Sequence, residues 1–61
     1  MATYFENGEK KAQISKTEFG FDVYTGVRGE SDRPSDMQVF RRKSYSTIKG
    51  AEKAAMAWVA A

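Results

Sequence analysis

"QVFRRKSYSTIKGAEKAAMAWVAA", residues 38–61, joins a strand pattern to a helix pattern, and that junction decides the architecture. Thr47 suits an N-cap, because its hydroxyl can accept a backbone N–H of the first helical turn. Ile48, Ala51, Ala55, Trp58 and Val59 follow at helical spacing, so residues 47–60 read as a helix with one apolar stripe. Lys49, Gly50, Lys53 and Ala57 fall opposite. The alanines let such a helix lie close on a sheet, with Trp58 as its large anchor. Just upstream, "MQVFRRKS" reads as a strand of unsettled facing. If Val39 points inward, Arg41 and Lys43 follow; if Phe40 does, Arg42 follows. A bulge that resets the register, or a core that ends near Arg41, would resolve the conflict.

Earlier in the chain, "FGFDVYTGVR" (residues 19–28) alternates most clearly. Phe19, Phe21, Val23, Thr25 and Val27 share one face; Gly20, Asp22, Tyr24, Gly26 and Arg28 share the other. A period of two rich in aromatic and β-branched residues marks a half-buried strand. Gly20 and Gly26 are the positions where it would bulge or bend. "KAQISK" alternates more weakly, with Ala12 and Ile14 on one face, and Thr17-Glu18 makes the connection to the next strand. Asn7-Gly8 is a turn signal suited to a type I′ hairpin. Residues 1–9 are therefore either a short extra strand or a frayed end. "GESDRPSD" (residues 29–36) has no periodic apolar face, and Pro34 disfavours pairing, so it reads as a loop. The expected fold is one small α+β domain, a three-stranded antiparallel sheet packed on one C-terminal helix. Such a sheet is covered on one face and bare on the other.

Composition narrows the possible chemistry. With 61 residues the chain forms a single domain with a thin core, and it contains no Cys, His or Leu. Disulfides, thiolate chemistry and the usual zinc ligand sets are therefore excluded. Large apolar area comes mainly from Tyr4, Phe5, Phe19, Phe21, Tyr24, Phe40, Tyr45 and Trp58. The carboxylates Glu6, Glu9, Asp22, Glu30, Asp32 and Asp36 lie in turn-like surroundings with nothing to raise a pKa. Neither a calcium loop nor a phosphate-binding glycine loop is present. No enzyme, metal site or cofactor is expected. The N-terminus lacks a secretory pattern and the apolar tail from Ala51 is too short to span a bilayer, so a cytoplasmic protein is expected.

Charge is uneven. Residues 1–37 sum to −2, whereas residues 38–61 sum to +4 through Arg41, Arg42, Lys43, Lys49 and Lys53 against Glu52. A basic half of this kind suits a polyanion. Because Arg41, Arg42 and Lys43 are consecutive, alternation sends a cation to each face. Arg28, Tyr24 and Gln13 are candidates for the uncovered face. Arg and Gln beside aromatic rings can read base edges or stack on bases, and Lys49 and Lys53 can meet phosphates. The expected DNA-binding residues are Arg28, Arg41, Arg42, Lys43, Lys49, Tyr24 and Gln13. The plain structural alternative is that the cations only protect an edge strand from aggregation.

Residues 41–58, "RRKSYSTIKGAEKAAMAW", resemble the end of the β-β-β-α arm-type DNA-binding domains of tyrosine integrases, with AP2-like domains as a wider class. Arg41, Arg42 and Lys43 match the basic run, Tyr45 the aromatic, Thr47 the cap, and Ala51 and Trp58 the inner face of the helix. Two departures stand out: Gly50 replaces an acidic residue, and the loop at 29–36 is longer than the family's turn. Small bacterial β-β-β-α proteins without established DNA binding have a similar ending. The integrase resemblance implies that the bare sheet enters the major groove; with no integrase catalytic domain in the sequence, a free-standing module such as a phage or plasmid accessory protein is expected. The alternative is a protein-interaction module, or a small phage-type inhibitor of a host protein. It would bind through Tyr24, Phe40 and Tyr4 or Phe5, and the same surface would allow a homodimer.

Overall fold

A computed structural model of the chain describes residues 2–31, 33 and 36–61. Asp32, Pro34 and Ser35, which belong to the expected acidic loop, lie outside the described residues, as does Met1. The N-terminal segment is a strand. β1 (Ala2–Asn7) pairs antiparallel with β2 (Lys10–Thr17), and Asn7 sits opposite Lys10. The hairpin thus turns on Gly8 and Glu9, one residue later than a type I′ turn on Asn7-Gly8 would. Only Gly8 has a positive φ there, +64°, the pattern of a turn with glycine at its first central position. A Cβ at Gly8 would meet nothing within 4 Å. Gly8→Ala should therefore cost only the left-handed backbone penalty, about 1–2 kcal/mol, read as a lowered urea midpoint. A neutral result would mean that this turn is not built as described.

β3 (Gly20–Arg28) and β4 (Met37–Tyr45) complete one antiparallel sheet of four strands in the order β1-β2-β3-β4. The expected sheet of three strands is corrected by β1. β3 also starts one residue late. Phe19 lies in the turn after β2 and is 93% exposed, so it does not share the inner face with Phe21 and Val23. Its backbone N–H instead donates to Thr17 Oγ1 at 3.3 Å.

The conflict in β4 is resolved by a bulge. Thr25 pairs with Arg41 and Gly26 with Val39, which leaves Phe40 as the extra residue. Arg41, Lys43 and Tyr45 consequently face the helix side, in register with Thr25, Val23 and Phe21. Arg42 and Val39 face the other way, in register with Tyr24 and Gly26.

α1 (Ile48–Ala60) lies mainly over β2 and β3. Thr47 caps it, its hydroxyl accepting from Gly50 N at 3.2 Å, a contact worth about 1 kcal/mol. Ala51 and Ala55 are fully buried against Ala12, Ile14 and Val23, with Phe5, Phe21, Tyr45, Trp58 and Val59 half-buried around them. Ile48, expected in the inner stripe, is 41% exposed because it opens the helix beyond the core. The far end of the helix is tied to the first hairpin. Asn7 Nδ2 donates to Val59 O at 2.7 Å, and Lys10 Nζ donates to Ala61 O. The Lys10 ammonium also stands 5.1 Å from the Trp58 ring centre, which places a cation at the negative end of the helix. No helix among the described residues is long and apolar enough to cross a membrane.

Candidate nucleic-acid interface

Strand register builds the uncovered face from single residues. Tyr4 lies opposite Gln13, Gln13 opposite Tyr24, and Tyr24 opposite Arg42. These four residues form one cross-strand row over the whole sheet, on the side away from α1. Side chains directly opposite in neighbouring strands are in reach of one another. Tyr4 is 40% exposed and Arg42 is exposed, whereas Gln13 and Tyr24 are half-buried between them. Arg28 belongs to the same face by alternation along β3, at the end where it pairs with Met37.

Acidic groups flank this row. Asp22 lies one row away, and its Oδ1 accepts from Ser44 Oγ at 2.7 Å. Glu6 lies on the other side, opposite Lys11. Lys11 is only 3% exposed although it is a lysine on the face without a helix. Two oxygens compensate its burial: Glu6 Oε2 at 3.7 Å and the Arg33 carbonyl at 3.2 Å. Arg33, between β3 and β4, therefore comes over one end of this face. Sequence reading missed this role, since "ENGEKK" carries no local sign that a lysine will be covered by a segment some 20 residues away.

Asp36 ties Gly29, Ser31 and Arg33 together. Its Oδ2 accepts from Ser31 N at 2.8 Å, its carbonyl accepts from Gly29 N at 2.9 Å, and its own N–H donates to Arg33 O at 3.0 Å. Hydrogen bonds from Ser31, side chain first and then backbone, hold the Asp36 carboxyl below its ordinary value of 3.8, with the Lys11 charge adding to the effect. A carboxyl depressed in the folded state stabilises above its unfolded pKa and loses that contribution as pH falls through the lowered value. As pH falls through that lowered value the Ser31 amide should lose protection relative to its intrinsic exchange rate while the sheet amides keep theirs. A Ser31 protection factor that is the same in Asp36→Asn as in the parent at neutral pH would remove the Asp36 carboxylate from this role.

The seven expected binding residues separate into three places. Gln13, Tyr24, Arg28 and Arg42 share the uncovered face. Arg41 and Lys43 project on the helix side of β4. There they line a cleft of about 400 Å³ between β4 and α1, together with Thr25, Phe40, Tyr45 and Trp58. The Lys43 ammonium stands 5.6 Å from the Tyr45 ring centre. Lys49 lies on the outer side of α1, in a shallow concavity with Glu52, Lys53 and Met56. Sequence reading placed Tyr4 only as one option for a protein interface, and its register now puts it at the end of the row. Among the described residues no group of three or more acidic side chains is placed to hold a metal ion. Compared with known proteins, the chain matches no family model, no curated protein and no solved structure.

Proposed function

We propose that this is a small non-enzymatic DNA-binding module that applies its uncovered sheet face to the duplex, as an accessory protein of phage or plasmid type. The row Tyr4–Gln13–Tyr24–Arg42 carries this reading. It presents an amide, a guanidinium and two phenols on a pleated surface, and such groups can hydrogen-bond to base edges in a groove. Arg28 and Arg42 supply the charge for phosphates or guanine. Arg41, Lys43 and Lys49 point elsewhere, so the electrostatic footprint is smaller than seven residues on one surface would give.

Fluorescence anisotropy with a labelled duplex, at several salt concentrations, tests this directly. With two phosphates neutralised, log K against log salt should fall with a slope of about −1.8. Arg42→Ala should weaken binding roughly tenfold, from the loss of one good contact, and Lys49→Ala should leave it unchanged. No binding at low salt, or equal losses for both variants, would defeat the reading.

A protein partner on the same face is favoured by one observation: the carboxylates Glu6 and Asp22 border the row, Glu6 beside Lys11, and would face the phosphates of a duplex. On that reading duplex binding is absent and the Tyr24 and Arg42 substitutions weaken the protein complex instead.

A further inference from the structure

We infer that the free edge of β4 and the cleft beside it take an extended acidic segment of another protein as an added strand. This surface shares Arg42 with the duplex-binding face but is centred on the β4 edge, and the inference stands without that reading. β4 pairs with β3 alone, and every residue from Gln38 to Ser44 is exposed. A row of backbone N–H and C=O groups therefore meets solvent along its outer side. A nucleic acid cannot continue that ladder, whereas an extended peptide can.

Edge strands are commonly blunted by cations and bulges, and β4 has both. Blunting alone would not leave Val39 47% and Phe40 60% exposed at the bulge, beside a cleft floored by Tyr45 and Trp58. Apolar side chains in that position form a binding surface with charged guards around it.

Charge selects the occupant. A second copy of the chain, paired antiparallel through β4 about Arg42, would set Arg41, Arg42 and Lys43 against the same three cations, and like charges directly opposite are destabilising. Carboxylates in the same places reverse the sign. Arg41 and Lys43 on the helix side and Arg42 on the other face call for three consecutive acidic residues, since neighbours on a strand point to alternate faces. The next two positions, opposite Phe40 and Val39, call for apolar side chains. An antiparallel strand would read acidic-acidic-acidic-apolar-apolar, and a parallel one the reverse.

Two fluorescent peptide pools of these two orders, degenerate among Asp/Glu and Phe/Val/Leu, provide the probe, with a Lys-for-acid pool as control. We expect one acidic order to bind and the basic pool not to. Phe40→Ala and Lys43→Glu should each weaken that binding about tenfold while leaving the circular dichroism of the protein unchanged. Methylating the alternate backbone nitrogens that face β4 should abolish it. Failure of both acidic pools at millimolar peptide overturns the inference, as does undiminished binding of the N-methylated peptide. It is equally overturned if Phe40→Ala leaves peptide affinity unchanged and instead removes single-stranded oligonucleotide binding, or dissociates a dimer of the protein.

Discussion

Trp58→Ala is expected to leave most molecules unfolded at 25 °C, without helical circular dichroism and with no cooperative urea transition. The reason lies in how little else is buried. Among the described residues the buried apolar ones are Ala12, Ile14, Val23, Ala51 and Ala55, and no aromatic side chain is wholly enclosed. Trp58 is the largest group packed against them, and it is also fixed by chemistry: its indole N–H donates to Gly26 O at 2.9 Å. Truncating a Trp in a core costs about 3–5 kcal/mol. Half-burial puts this case near the lower figure, yet a core in a domain of this size rarely supplies more than about 3–5 kcal/mol in total. Trp58→Phe separates the two contributions. It keeps most of the ring contact and removes the hydrogen bond, so a loss of about 1 kcal/mol is expected. If Trp58→Ala unfolds with a urea midpoint close to that of the parent, the helix is held to the sheet by something else.

The parts of this fold that were legible in the sequence are those set by neighbours along the chain. Thr47 and the Ala51–Ala55–Trp58 spacing define α1 because a cap and a stripe are local properties. The alternation of Phe21, Val23 and Thr25 likewise gave the inner face of β3. β1 was undecided because Tyr4 and Phe5 are adjacent aromatics on opposite faces, which erases the alternation that marks a strand. Phe19 fitted the parity of β3 but belongs to the turn. The site was legible in part for the same reason. Gln13, Tyr24 and Arg28 follow from parity in β2 and β3. The facing of Arg41, Arg42 and Lys43 depended on a bulge that β4 alone does not reveal. Lys11 was not legible at all, since its burial comes from a segment distant in the chain.

That bulge rests on one residue, and Gly26→Ala should be as damaging as the loss of Trp58. A Cβ at Gly26 would stand 1.9 Å from Gln38 O, 2.8 Å from Gln38 C and 2.9 Å from Val39 Cα. All three are backbone atoms of β4, so no side chain can swing aside to make room. Either β4 withdraws from β3 around Val39, or the register shift moves. Withdrawal breaks part of the ladder and disturbs the carbonyl that accepts the Trp58 N–H, at an expected cost of about 3 kcal/mol. The Gly8→Ala hairpin variant, which meets no atoms, is the appropriate comparison and should lose clearly less. Movement of the shift has a second, separable signature. A one-residue slip sends Arg42 to the helix side and Arg41 and Lys43 to the uncovered face. On the proposed DNA-binding reading, a Gly26→Ala protein that stays folded should then bind a duplex through the latter two, with Arg42→Ala no longer weakening the complex. A folded variant with unaltered stability and unaltered dependence on Arg42 would show that the close approach of β3 and β4 at Gly26 does not orient these cations.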